Sequence, residues 1–181
     1  MTEIIRQLQQ EHEQLGRVLD LLAAEVAIFR SGEVPDYRLI QEIVDYCLDY
    51  PDACHHPKED VVFAAVMNRA VTLPAAIADL DAAHRRLSTL TRRLHETVER
   101  VMRDETMSRD RFIGVVDSFI DGYRMHIRIE EESFFPEALR CLDAADWAAI
   151  RTRLDERRDP LSEAVGKCRF ATLRAGILHT A

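Results

Sequence analysis

Residues Ile5, Leu8, His12, Leu15, Leu19, Leu22, Val26 and Phe29 are spaced by three and four throughout. Such spacing puts one face of a helix into a core, and here it predicts a helix of about 28 residues. No segment alternates apolar and polar residues as a half-buried strand would, and the chain has only six glycines and six prolines. "SGEVPD" (31–36) supplies a break, and a second helical stretch is predicted from about Asp36 to Asn68. Pro51 and Pro57 lie inside it, so a kink or short break is expected near "YPDACHHP". "TLP" (72–74) is expected to open a third helix, with the stripe Leu73, Ile77, Leu80, His84, Leu87, Thr91, Leu94, Val98 and Val101. A fourth begins near Ser108 with Phe112, Val116, Phe119, Tyr123, His126, Glu130 and Ser133 on one face. The predicted fold is all-α: an antiparallel up-down-up-down four-helix bundle over residues 1–142. An additional C-terminal helical extension, residues 143–181, is expected to pack on it, with a helix from about Ala144 and a stop at "RRDP" (157–160).

Composition narrows the function. Hydrophobic residues make up 47% of 181, enough for a core, and 24 basic against 32 acidic residues leave a formal net charge of −8. That balance disfavours nucleic acid and anionic membranes as partners. No apolar run approaches the roughly 20 residues that span a bilayer, and "MTEIIRQLQQEHEQ" lacks a secretion signal, so a cytoplasmic protein is expected. Cys47, Cys54, Cys141 and Cys168 form no CxxC pair, and Cys54 reads as a small core thiol.

The stripes are apolar except where His12, His84, His126 and Glu130 interrupt them. In the second helix His55 and Glu59 share a stripe with Ile40, Val44, Cys47, Val62 and Val66, whereas His56 and Asp60 follow Gln41, Asp45, Asp49 and Asp52 on the wet face. If the break preserves helical phase, His55 and Glu59 point inward and His56 outward. Heights agree as well. His12 lies about 21 residues from the first turn and the His55/Glu59 midpoint about 24; His84 and the His126/Glu130 midpoint each lie about 22 from the turn near residue 106. Six inward polar residues therefore converge at one level. The offsets of 72 residues from His12 to His84, and of 71 from His55 to His126 and from Glu59 to Glu130, suggest two similar helical hairpins. Four imidazoles and two carboxylates satisfy each other poorly in an apolar core, and a divalent cation removes the penalty. His95 and Glu99 have the same spacing but flank the Leu94/Val98 stripe, and read as a surface pair.

The pattern His12, His55–Glu59, His84, His126–Glu130 resembles the H…HxxxE…H…HxxxE signature of hemerythrin-like (HHE cation-binding) domains over roughly residues 3–142. The resemblance implies a non-haem di-iron centre, two iron ions bridged by carboxylates, with zinc or manganese as alternative ions. It implies binding of O2 or a related small molecule (NO, peroxide) in sensing, storage or stress response. Two alternatives accompany it: a di-iron oxidase or peroxidase-like enzyme, and an iron-sensing or structural metal-binding module. Oxidase-type bundles use Glu-x-x-His and more carboxylates, so metal and oxygen binding ranks above catalysis. A homodimer is the assembly to look for. Animal oxygen carriers of this family usually place a second histidine four residues after the third-helix ligand, where this chain has Ser88. The last acid also follows its histidine at four rather than five places. These departures point away from simple oxygen carriage. His56, Tyr123 or water stand as candidates for the missing ligand.

Overall fold

A computed structural model describes residues 2–69, 77, 79–154 and 171–180, with only the backbone of 52, 53, 171, 174 and 178–180. No strand occurs among the described residues, and the chain is a helical bundle. α1 (Glu3–Ser31) is capped by the Thr2 side chain, which accepts from the Ile5 N–H, and ends on Gly32. At φ 97° Gly32 occupies the left-handed region open to a residue without Cβ, and it closes the last turn by donating to the Phe29 carbonyl. Asp36 then caps α2 (Tyr37–Asp49) by accepting from the Arg38 and Leu39 N–H groups. The expected helix start at 72–74 and the expected stop at 157–160 lie outside the described residues. α4 is described from Leu80 to Met102, with Asp79 as its N-cap.

Two wide turns decide how the site is built. Between α2 and α3 (His56–Arg69) the helix loosens into a π-helical turn over Pro51–His55. The His55 N–H donates to the Tyr50 carbonyl at 3.1 Å, and the His56 N–H reaches back five residues to Pro51. Pro51 and Pro57 have no N–H, so each leaves a helical hydrogen bond unmade, and the chain between them relaxes to the wider repeat. α5 (Arg109–Ile129), capped by Ser108, runs into a second such turn over Glu130–Phe134, closed by the Phe135 N–H donating to the Glu130 carbonyl. Here too a proline, Pro136, comes directly after, and α6 (Phe135–Cys141) continues the same helix. α7 (Ala144–Arg153) opens on a reciprocal capping box between Asp143 and Asp146. α8 (Ala171–Thr180) lies beyond the undescribed segment.

The apolar core has two parts. One contains Leu15, Leu19, Leu22, Ile40, Val44, Leu87, Leu94, Phe119 and Tyr123, and α8 adds Leu173 and Ile177 to it. The other contains Ile5, Leu8, Val62, Val66, Leu80, Phe134, Phe135 and Ile150 of α7. α1 and α4 pass through both parts, as do α2 with α3 and α5 with α6 across their π turns, and the polar residues lie where each crosses from one part to the other. His12 falls between Leu8 and Leu15, and His84 between Leu80 and Leu87. None of the described helices is long and apolar enough to cross a membrane.

Candidate metal centre

α1, the Pro51–His55 turn with α3, α4 and α5 each bring one imidazole or more to the layer between the two cores. His12, His55, His84 and His126 are all buried, and Glu59 and Glu130 are completely so. Glu59 stands at the centre. Its Oε1 is 3.3 Å from His12 Nε2 and 3.4 Å from His55 Nε2, while its Oε2 is 3.5 Å from His84 Nε2. Glu130 is placed similarly, with Oε2 3.4 Å from His12 Nε2 and 3.1 Å from His126 Nε2, and Oε1 3.5 Å from His84 Nε2. The six residues that the spacing singles out are therefore brought together in space.

The site has a seventh member that helical spacing places on the wrong side. Spacing puts His56 on the wet face; it is 3% exposed, and its ring stacks on His84 with centroids 4.4 Å apart. That expectation rests on unbroken helical phase, and the π turn breaks it. An extra residue in the turn rotates the downstream helix by about 100°, so His55 and His56, one on each side of the junction, both face the centre. Asp60, the other residue assigned to the wet face, sits at the rim and places Oδ1 2.8 Å from His84 Nδ1. Tyr123 stacks on His56 at 6.0 Å, and its hydroxyl lies 3.2 Å from Thr91 Oγ1. His95 stays at the surface, 3.9 Å from Glu99 and 4.0 Å from Asp45.

The donors fall into two groups compatible with cation binding: His12, His55 and Glu59 in one, and His56, Glu59, His84 and His126 in the other. Glu59 belongs to both. His12 Nε2, His126 Nε2, Glu130 Oε2 and both Glu59 oxygens are buried without a hydrogen-bond partner, although each lies in a polar cluster. Buried polar atoms of a native core are almost always paired. Five atoms unpaired at one point, all of them good metal donors, fit a bound cation better than a structural network.

The far sides of the rings support the same reading. His12 Nδ1 lies 2.9 Å from Glu131, His55 Nδ1 2.7 Å from Glu11, and His84 Nδ1 2.8 Å from Asp60. A carboxylate accepting the Nδ1–H fixes the tautomer and turns the Nε2 lone pair inward, as metal-ligating histidines require. Spacing along one helix could not reveal these carboxylates, because each contact joins two different helices.

The family model of the hemerythrin HHE cation-binding domain matches residues 3–138 and, in a second match, 75–174. This chain belongs to that family. The second match begins 72 residues after the first, the offset that separates His12 from His84. No curated protein and no solved structure matches the chain. For an HHE domain the donor set is appropriate: the buried imidazoles and carboxylates suit a transition-metal ion, and they lie on the helices that carry the signature.

Protons and a cation compete for this HHE centre. Burial alone would push the His84 imidazole down, but Asp60, Glu130 and Glu59 outweigh it and hold it at about 11. His12 is likewise raised well above its ordinary value: burial opposes the rise, and Glu130, Glu131 and Glu59 override it. Burial pushes the Glu59 carboxyl up, yet His55, His12 and His84 bring it well below the usual range. A cation entering the cluster must displace protons from imidazoles that hold them above the usual range, so binding releases protons and weakens as pH falls. Free imidazole is half-protonated near pH 6.5 and has lost most of its protons by about pH 7.5. Metal affinity of this protein should instead still be rising between about pH 7 and 8, by about tenfold per pH unit for each proton released. Chelator-competition titrations across that range, and on down to about pH 5, measure the slope. A flat profile would exclude histidine ligation.

Proposed function

We propose that the chain is a non-haem di-iron protein that binds oxygen or a related small molecule, such as nitric oxide or peroxide, in sensing, storage or stress response. The chief support is the shared carboxylate: Glu59 presents one oxygen to His12 and His55 and the other to His84. On this reading His12 and His55 hold one ion, His56, His84 and His126 the other, and Glu59 and Glu130 lie between them. His56 takes the part that Ser88 cannot. Two ferrous ions so held would supply electrons and an open coordination position to a small ligand; zinc and manganese accept similar donors.

The chain's own contribution is position and exclusion. Carboxylates behind His12, His55 and His84 keep the Nε2 atoms inward. Phe135 stacks on His12 at 5.3 Å, so apolar surface closes one side of the layer. The two halves are unequal, with two imidazoles against three, and the His12/His55 half, having fewer donors, would be the one to take an incoming ligand. Histidine outnumbers carboxylate, which favours binding over the oxidase chemistry of carboxylate-rich bundles. We also read the four long helices as an antiparallel up-down-up-down bundle, consistent with the short connections at 32–36 and 103–108.

Metal analysis of the purified protein, followed by an anaerobic ferrous spectrum before and after air, tests the reading. About two irons per chain and a new visible charge-transfer band on exposure to air are expected, and disappearance of the band under vacuum would separate binding from one-way oxidation. No metal, and no uptake on reconstitution, would overturn it.

A further inference from the structure

Glu11 is a buried carboxylate outside the donor set, and the residues around it form a chain of their own. Its Oε2 lies 2.7 Å from His55 Nδ1, and its Oε1 accepts from Lys58 Nζ at 2.9 Å. Lys58 Nζ also donates to the Tyr50 hydroxyl at 3.0 Å and stands 5.2 Å from the centre of the Tyr50 ring. The side chains of Lys58 and Glu11 are 3% and 8% exposed. A buried ion pair is a poor source of stability, because desolvation offsets most of the attraction and apolar residues of similar size do as well. What an apolar pair cannot do is hold a carboxylate at one fixed place behind a histidine.

The other two carboxylates of this kind are differently situated. Asp60, behind His84, has 44% of its side chain exposed, and Glu131, behind His12, has 30%. Water can solvate both. Glu11, at 8%, is far less open to water, and the fold supplies the Lys58 ammonium and the Gln7 side-chain amide as donors to its Oε1.

Resting on the two-ion reading above, we propose that Lys58 is a positioning residue for the His12/His55/Glu59 half of the centre. Anchored on Tyr50, its ammonium holds Glu11 against the Nδ1–H of His55, which keeps His55 Nε2 directed at Glu59. Lys58 touches neither half directly: it acts through Glu11 alone. The two halves depend on it unequally. The half made by His56, His84, His126 and Glu59 has three imidazoles and draws no support from Glu11. The other half has two imidazoles, and a loosely held His55 removes the orientation of one of them. Ions therefore load in order, with the second site sensitive to Lys58 and the first indifferent to it.

Metal-free full-length protein is titrated anaerobically with cobalt(II), whose visible absorption reports each ion, and helical circular dichroism and thermal melting are recorded for every variant. The wild type should take up two ions. Lys58→Met should bind the first as the wild type does and the second roughly 10- to 100-fold more weakly, the usual effect of losing an outer partner of a ligand. Lys58→Arg, which keeps a cationic donor, should recover most of the second site. A folded Lys58→Met that binds both ions normally overturns the inference, and so does equal weakening of both. Should Lys58→Met fail to fold, Glu11→Gln takes its place: it preserves size but sets an amide N–H against a donor, since His55 Nδ1, Lys58 Nζ and Gln7 Nε2 all surround that carboxylate. Selective loss of the second ion there supports the proposal, and unchanged binding of both ends it. A wild type that takes up no cobalt(II) defeats the two-ion reading itself, a result distinct from two normal ions in the variants.

Discussion

Replacing Glu59 by alanine should take bound metal from about two ions per chain to well under one. Glu130 also reaches across the layer, to His12, His126 and His84, but among the described residues it is Glu59 that sets one oxygen against His12 and His55 and the other against His84. It also belongs to both donor groups, so its removal opens both halves at once. The loss should exceed that from any single histidine, each of which serves one half. His95→Ala is the matched control. It removes an imidazole of identical spacing from Glu99, but at the surface and in no donor group, and metal content should not change. Elemental analysis of the two purified variants against wild type decides the matter. Equal loss in both would mean that the assignment of ligands is wrong.

Replacing His56 by alanine should remove one ion of the two. The ring of His56 lies among His84, His126 and Tyr123, with centroids 4.4, 5.5 and 6.0 Å away. Without it the half nearest α4 and α5 keeps two imidazoles. Affinity there should fall on the order of 10- to 100-fold or more, since a direct ligand counts for at least as much as its outer partners. Tyr123→Phe is the comparison that separates His56 from the other residue the sequence offers for the same role. The Tyr123 hydroxyl is engaged with Thr91, so its loss should cost a hydrogen bond of about 1 kcal/mol and leave both ions bound. Two ions retained in His56→Ala, with one lost in Tyr123→Phe, would reverse the assignment.

Both HxxxE segments adjoin a π turn that closes just before a proline, at Pro57 and at Pro136. The two turns act differently on the site. In the first, the widened repeat brings consecutive histidines to one side, which regular helix geometry forbids, since neighbours point about 100° apart. In the second, the turn begins at Glu130 itself, so Glu130 faces the centre while Glu131, its neighbour, reaches His12 Nδ1. Adjacent residues thereby contribute one to the donor cluster and one to its support. Departures from α geometry of this kind gather at functional positions because they present side chains that a straight helix cannot.

The sequence by itself determined the helices, the polar layer and its level. Apolar side chains three and four apart must share a face, and residues equally distant from a turn must lie at equal height; that is enough to predict that His12, His55, Glu59, His84, His126 and Glu130 meet. Periodicity holds only while the hydrogen-bond repeat is constant, however. Pro51 and Pro57 announced a break, but the number of residues the widened turn would absorb depends on packing on both sides of it, so the inward face of His56 was decided by the tertiary structure. The supporting residues were decided there too. Glu11 meets His55 and Lys58, Asp60 meets His84, and Glu131 meets His12. Each pair joins side chains far apart in sequence. A lysine between Pro57 and Glu59 reads as a solvated charge until the fold shows it buried against a buried carboxylate.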